Sequence, residues 1–337
     1  MKKFSVKKEH IREIFKSFNN LNVLIIGDVM IDSYMWGKVN RISPEAPVPI
    51  VAVSKKEKRL GGAANVALNI QAMGANPILC SVIGIDYEGQ NFLELLKTQK
   101  LSQKGILKSR TRITTEKTRV IGNNTQLLRI DEEVEEDITP AETQQLITLI
   151  SYIIQHEKID CILFEDYNKG LITPKLISKV VELAKSKGIP TCVDPKKKNF
   201  NAYKGVTLFK PNLKELKEGL NLDFDFNADK EKFEKGIEVL ENKLQNQISF
   251  VTLSENGVFI KENEEKHYIK AHVRSISDVS GAGDTVIAVA TLCLISGASI
   301  QQIAEISNLA GGLVCEKSGV VSISKNDLFY EVIELLS

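Results

Sequence analysis

From about residue 139 onward, short apolar β-rich runs alternate with amphipathic helical stretches, and this rhythm constrains the fold more than any other feature of the chain. Helix 139–156 leads to strand Ile159–Phe164, helix 173–187 to strand Pro190–Val193, and strand Val206–Phe209 to helix 212–220. A helix near 228–244 precedes strand Ser249–Leu253, a hairpin follows to about residue 271, and two long helices, 281–296 and 299–316, close the domain. Strands joined through helices return parallel to one another. The pattern therefore predicts an α/β, doubly wound, mostly parallel sheet with helices on both faces. At 337 residues the chain is long enough to be read as one large domain with a sizeable core.

The first 138 residues are less regular. Val6, Ile11, Ile14, Phe15 and Phe18 recur at helical spacing over 6–19, and Asn22–Gly27 reads as a strand ending in the turn Gly27-Asp28. Residues 29–60 then break the rhythm, with Pro44, Pro47 and Pro49, the run Val48–Val53 and a basic loop from Lys55 to Arg59. Helical pattern returns at Gly61–Ile70, followed by strand Pro77–Ile83 and helix Glu88–Leu101. Lys117–Ile121 and Gln126–Ile130 flank Gly122-Asn123-Asn124-Thr125, a hairpin pattern. Residues 29–60 and 109–131 are therefore expected to form a small β lid inserted in the domain, outside the main sheet. Val48, Ile50, Val51, Val53, Val120 and Ile121 are more apolar surface than so small a lid can bury. The expectation is a homodimer joined through the lid.

Composition excludes several classes. Forty-four Lys and Arg against 43 Asp and Glu give a formal charge of +1, so no bulk field favours nucleic acid or a membrane surface. Cys80, Cys161, Cys192, Cys293 and Cys315 form no C-x-x-C pair and sit in apolar segments, as reduced core cysteines do. No apolar run approaches the roughly 18 residues of a membrane span, and no apolar stretch follows the N-terminal lysines. A cytoplasmic protein is expected.

The chemistry centres on Asp278-Val279-Ser280-Gly281-Ala282-Gly283-Asp284-Thr285, followed by the apolar run Val286–Ile295. The glycines bring backbone N–H groups close to a ligand at a helix N-terminus, where the dipole favours an anion. Asp284 adds a carboxylate in the first helical turn, so the stretch offers what phosphoryl transfer needs; a turn whose Asp merely caps a core helix is the plainer alternative. Asp28, Asp166, Asp194, Asn212 and Ser254 each follow a predicted strand end. Ligands of open α/β sheets bind along that edge, and five such residues there are more than helix caps alone explain.

Three stretches carry a resemblance to the ribokinase-like sugar kinases: Gly61-Gly62-Ala63-Ala64-Asn65, Asn212-Leu213-Lys214-Glu215 and Ser280-Gly281-Ala282-Gly283-Asp284. Their order and spacing agree with that family across essentially the whole chain. Gly27-Asp28-Val29-Met30-Ile31-Asp32, the segment Arg41–Pro49 and Asp194-Pro195-Lys196 resemble more closely the D-glycero-β-D-manno-heptose 7-phosphate kinases of ADP-heptose synthesis, here as a stand-alone kinase. Ser280 stands where that pattern has Thr, and Asn168 and Lys197 stand where it has Gly.

The resemblance implies ATP as donor, Mg²⁺ as metal, and an alcohol-accepting phosphotransferase. It implies Asp284 as catalytic base, weakened by its helix N-terminus, with Gly281, Ala282 and Gly283 offering N–H groups to the transferring phosphoryl. Asn212 and Glu215 would hold the metal through water, beside Lys214, Ser254, Gly257, Asn308 and Gly311 around the nucleotide. Asp28, Asp32, Gly62, Asn65 and Asp166 would meet the sugar, and Lys169, Lys196 and Arg129 are candidates for its phosphate. A monovalent cation requirement stays open. A kinase of another sugar, or a non-catalytic sugar-binding protein, remains the alternative; a dinucleotide oxidoreductase would need G-x-G-x-x-G after the first strand, which Gly27-Asp28-Val29 does not supply.

Overall fold

A computed structural model of the chain describes residues 2–272, 274, 276–317 and 319–335, with side chains from residue 8 onward; Val6 of the expected first helix lies outside the described side chains. The elements are α1 (Lys2–Ser17), β1 (Asn22–Gly27), β2 (Val29–Ile42), β3 (Pro49–Gly62), α2 (Ala63–Ala72), β4 (Asn76–Gly84), α3 (Tyr87–Thr98), β5 (Gly105–Ser109), β6 (Glu116–Gly122) and β7 (Thr125–Glu132). The alternating part follows as α4 (Pro140–His156), β8 (Cys161–Glu165), α5 (Pro174–Lys187), β9 (Thr191–Asp194), β10 (Leu208–Phe209), α6 (Leu213–Leu220), α7 (Lys230–Leu244) and β11 (Ile248–Thr252). It closes with β12 (Val258–Glu262), β13 (Glu265–Ile269), α8 (Ala282–Ile295), α9 (Ile300–Cys315) and α10 (Lys325–Leu335).

The main sheet has nine strands in the order β13-β12-β11-β10-β9-β8-β1-β4-β5, parallel except for β12 and β13. Its strands are apolar on both faces because both are covered by helices. Val23, Ile25, Cys161 and Leu163 face a core shared with α1, α2, α8, α9 and α10. Leu24, Ile26, Ile162 and Phe164 face a second core with α4, α5 and α7. The chain runs outward from β1 in both directions, through β4 to β5 on one side and from β8 to β11 on the other. The crevice at the C-terminal ends of β1 and β8 is thus the switch point at which such sheets bind ligands.

Two elements were not expected from the sequence. Strand β5 extends the sheet beyond β4, and α10 follows the two helices read as closing the domain. Both are short and weakly patterned, and both are ordered by packing against long neighbours: β5 pairs with β4, and Leu328 and Val332 of α10 join the core under α9. Strand Val206–Phe209 shrinks to Leu208–Phe209.

The lid is a separate four-stranded sheet, β3-β2-β6-β7. Strands β2 and β3 are 14 residues each and pair antiparallel from Val29↔Gly62 to Ile42↔Pro49, so this segment is a continuous ribbon and not a string of pieces. The ribbon's root is the start of α2, which puts Gly61-Gly62-Ala63 at the joint between lid and main sheet. Val48 and Val53 are exposed, as are Ile42 on β2 and Leu127, Leu128 and Ile130 on β7. All five cysteines are free thiols. Among the described residues no helix is long and apolar enough to cross a membrane.

Candidate active site

Gly281, with φ of 80°, caps α8 in the left-handed conformation that only glycine adopts without strain. Asp284 follows in the first turn, 7% exposed. Its two oxygens are held from opposite sides of the crevice: Asn65 Nδ2 donates to Oδ2 at 2.6 Å, and the Tyr167 hydroxyl donates to Oδ1 at 2.7 Å. Asn65 sits on α2 directly after the lid root, and Asn69 one turn on donates to the Asn65 carbonyl at 3.0 Å and accepts from Thr285 Oγ1 at 3.1 Å. Helices α2 and α8 are thereby pinned together around the carboxylate.

The helix N-terminus led us to expect a lowered pKa for Asp284. The structure reverses that sign: burial pushes the carboxyl above its usual value and outweighs the bonds from Asn65 and Tyr167. A second correction concerns the turn itself. Ala282 N–H is already spent on the Val279 carbonyl at 3.2 Å, so among the described residues only Gly281 and Gly283 keep backbone N–H groups free of protein acceptors within Gly281–Gly283. A Cβ at Gly283 would lie 3.8 Å from Asp194 Oδ2, so the turn faces Asp194.

Around the turn lies a cluster of charges from the ends of β8, β9 and β10 and the first turn of α6. Asp194, at the end of β9, pairs with Lys210 at 2.8 Å, and both are buried. Lys196 bonds Glu215 and lies 5.8 Å from the centre of the Tyr167 ring. Burial pulls both ammonium groups down, but Asp194 and Glu215 outweigh it and hold them above the ordinary lysine value. Glu165, the last residue of β8, is 1% exposed, and its Oε2 has no hydrogen-bond partner. Burial, reinforced by the charges of Asp194 and Asp284, pushes its carboxyl well above the usual range. Burial therefore favours the protonated form of Glu165.

Asn212 and Glu215, expected at a metal, make a reciprocal capping box at the start of α6: Glu215 N–H donates to Asn212 Oδ1 at 2.8 Å and Asn212 N–H to Glu215 Oε2 at 2.9 Å. With its other oxygen on Lys196, Glu215 has none bare for direct ligation, and Asn212 has spent its carbonyl. An oxygen-only set of this kind fits a hydrated hard cation, not an inner-sphere one. Among the described residues no group of three or more His, Cys, Asp and Glu is arranged to hold a metal ion directly.

Asp28 and Asp166, expected at the sugar, are occupied elsewhere. Asp28 accepts the N–H groups of Tyr167 at 3.0 Å, Lys169 at 3.1 Å and Leu171 at 3.0 Å. Asp166 accepts from Asn168 N at 2.8 Å, Tyr203 Oη at 2.9 Å and Asn199 Nδ2 at 3.1 Å. Both order the 166–171 loop, in which Asn168 adopts φ of 56°, a left-handed turn that asparagine tolerates in place of glycine. Lys197 lies in a short 3₁₀ turn, Lys197–Asn199. Lys169 is tied to Glu133 at 2.7 Å and Glu135 at 2.6 Å, and Arg129 lies exposed beside Asp131 at 2.9 Å. Asp32 is buried on the lid and paired with Arg119, while Gly62, with φ of 61°, turns the chain into α2.

On the nucleotide side, Lys214 is exposed on α6 and comes no closer than 3.8 Å to Glu218. Ser254 and Gly257 bound the turn after β11, where a Cβ on Gly257 would lie 2.0 Å from the Ile269 carbonyl. Asn308 Nδ2 donates to the Lys270 carbonyl at 2.8 Å. Gly311 lets α9 approach α8, since a Cβ there would meet Val286 Cγ2 at 2.8 Å. These four are packing and turn positions on one flank of α8 and α9.

Residues 20–327 match the pfkB family carbohydrate kinase. The chain belongs to this family of carbohydrate kinases. Over 306 residues it is 38% identical to the bifunctional protein HldE of Helicobacter pylori strain HPAG1, covering 91% of this chain and 65% of that protein. It is 40% identical over 314 residues to the HldE of Campylobacter jejuni subsp. doylei, covering 93% of this chain and 65% of that protein. The chain thus spans just under two thirds of the length of these curated relatives. Phosphofructokinase-2 from Escherichia coli, solved in complex with potassium, superposes with a TM-score of 0.75 at 19% identity over 94% of this chain and 98% of that one, and so shares the fold.

The residues near Asp284 that the sequence did not single out are Tyr167, Glu165 and Lys210, and on the lid Arg119, paired with Asp32, was likewise missed. A charged residue closing an otherwise apolar parallel strand, as Glu165 does, was the available signal; nothing local marked Lys210 or Arg119. Two outcomes follow. Asp28→Ala leaves three buried N–H groups without an acceptor, and should cost on the order of 3 kcal/mol or more in denaturant unfolding. Glu165 has a folded pKa above its unfolded one, so the wild type loses stability as pH rises from about 4.5 toward the folded value. Glu165→Gln removes that loss: its stability advantage should be near zero at pH 4 and grow toward pH 8, whereas a pH-independent difference would show that Glu165 does not titrate in this way.

Proposed function

We propose that this chain is an ATP-dependent kinase that phosphorylates the C1 hydroxyl of D-glycero-β-D-manno-heptose 7-phosphate, giving the 1,7-bisphosphate used in ADP-heptose synthesis for lipopolysaccharide core. The observation that carries the reading is a buried, raised-pKa carboxylate, Asp284, clamped by Asn65 and Tyr167 beside the Gly281–Gly283 turn. The resemblance of Arg41–Pro49 and Asp194-Pro195-Lys196 to heptose 7-phosphate kinases, and the similarity to HldE, support that substrate over other sugars.

In this reading the C1 hydroxyl gives its proton to Asp284 as its oxygen attacks the γ-phosphorus of ATP, while the bond from that phosphorus to the β–γ bridging oxygen breaks and ADP leaves with its electron pair. An anomeric hydroxyl is more acidic than an ordinary alcohol, and burial makes Asp284 a better acceptor near neutrality, so the two are matched. Gly281 and Gly283 N–H groups, with Lys196 and Lys210, face the charge that builds on the phosphoryl oxygens. Mg²⁺ bound with ATP would supply charge neutralisation, and Glu215 and Asp194 would hold it through water. Whether this chain takes the monovalent cation seen with the phosphofructokinase is decided by assay with and without K⁺. Asp32 and Asn65 remain the sugar-hydroxyl partners, and Arg119, beside Asp32 on the lid, joins Lys169 and Arg129 as a candidate partner for the distal phosphate.

An ADP-coupled assay over heptose 7-phosphate, free hexoses and fructose phosphates tests the substrate: turnover should be confined to the heptose phosphate, and preference for a different sugar would reject it. Asp284→Asn can still accept from Asn65 and donate to Tyr167, so folding and ATP binding should persist. Loss of the base is worth about 10²–10⁴ in kcat, or roughly 3–5 kcal/mol, with little change in the KM for ATP. Near-wild-type turnover would leave Asp284 a cap and nothing more.

Apolar side chains bare on the lid, Ile42 at 60% exposure, Val48 at 52% and Leu128 at 55%, support a two-fold dimer through this sheet. Sedimentation at micromolar concentration should give a dimer, and Leu128→Glu a monomer. A monomeric wild type would remove the assignment.

A further inference from the structure

The lid and the anion turn belong to different sheets and to opposite halves of the crevice, yet one short stretch touches both. After α9, Gly319 and Val320 pass between them. On the turn side, Asp278 accepts from Ser280 N–H at 2.9 Å with Oδ1 and from Gly319 N–H at 3.0 Å with Oδ2, so one carboxylate fixes the Gly319 backbone to the residue preceding Gly281. On the lid side, Arg59 Nη1 donates to the Val320 carbonyl at 3.3 Å.

The Arg59 guanidinium cannot drift far. It lies over the Tyr34 ring, 4.9 Å from its centre, and Glu57 holds its Nε. Gly319 has φ of 76°, and a Cβ there would come within 2.7 Å of Arg59 Nη1, so the passage admits only glycine. Val320 and Val321, with Arg59, Asn65 and Leu68, line a cavity of about 410 Å³. Asn65 is the residue that holds Asp284. Lid ribbon, Val320 carbonyl, Asp278 and anion turn therefore form one connected path, independent of the Asn65–Asp284 bond that joins the same two halves elsewhere.

We propose that Arg59 is a positioning residue that latches the lid to the phosphate turn through Gly319–Val320 and Asp278, so that the turn is in register for transfer only when the lid is seated over the sugar. The proposal rests on the kinase reading above. It assigns Arg59 no contact with substrate. Its action is on geometry, and a misplacement of the turn by about 1 Å is enough to lower transfer by one to two orders of magnitude. An unlatched lid also leaves water at the γ-phosphate.

The experiment uses the full chain with ATP and whichever sugar phosphate the wild type turns over, heptose 7-phosphate first. Arg59→Ala should lower kcat about tenfold or more while the KM for ATP stays within twofold, and ATP hydrolysed per sugar phosphorylated should rise above the wild-type ratio. Asp278→Asn cuts the other end of the path, and the double variant should be little worse than either single one. Arg59→Lys keeps a donor for the Val320 carbonyl but not the planar stack on Tyr34, and should restore most of kcat; if the alanine variant does not fold, a raised hydrolysis ratio in the lysine variant carries the test. An unchanged kcat and hydrolysis ratio, additive losses in the double variant, or a rise only in the KM for sugar phosphate would overturn the latch. A wild type inactive on heptose 7-phosphate but active on another sugar would instead reject the substrate reading.

Discussion

Three N–H bonds into one buried carboxylate hold the crevice together. Asp28, at the tip of β1, gathers the backbone of Tyr167, Lys169 and Leu171 from the loop after β8. These strands are neighbours at the point where the chain's winding direction reverses, so no covalent or helical connection sets the loop's position relative to β1. The carboxylate does that instead. Because Tyr167 is the first residue it captures, the same interaction decides where the Tyr167 hydroxyl points, and hence how Asp284 is oriented from across the crevice.

The cluster that results is balanced by burial as much as by pairing. Asp194 with Lys210 and Glu215 with Lys196 form two opposite-charge pairs, the first buried and the second part-buried. A further ionised carboxylate at Glu165 would tip that balance, and burial shifts that group toward its protonated form. Asp284 stands on the same footing: low exposure raises its proton affinity, and two directed donors keep the ionised form accessible. A carboxylate in this condition holds a proton more readily than an exposed aspartate at a helix N-terminus does. Local position and tertiary burial act in opposite directions on the same group, and burial is the larger.

The lid answers a different constraint. A four-stranded sheet with no helix layer of its own leaves apolar side chains bare, and long ribbon strands project them away from the main sheet. Its root, however, is stiff: Gly61 and Gly62 pack against Asp32 and the Asp28 carbonyl, where any Cβ would collide. Movement of the lid is thereby passed to the start of α2, and so to Asn65.

What the sequence determined alone is the part governed by short-range pattern. Alternating apolar runs and amphipathic stretches specify parallel strands and covering helices, and Gly281-Ala282-Gly283-Asp284 specifies an anion turn with a carboxylate, because backbone freedom and helix polarity are local properties. The turn residues Asn168 and Gly281 are legible for the same reason. Tertiary structure decided everything that depends on desolvation or on which strand lies beside which. It turned Asp28 and Asp166 from expected ligands into loop anchors and engaged Lys169 with two glutamates. It converted Asn212 and Glu215 into a capping box and brought Tyr167 and Lys210, more than forty residues apart, into one charge cluster. It also reversed the sign of the shift on Asp284, since the field of a helix end is written in the chain but the water excluded around it is set only once the sheet, α2 and α8 have closed.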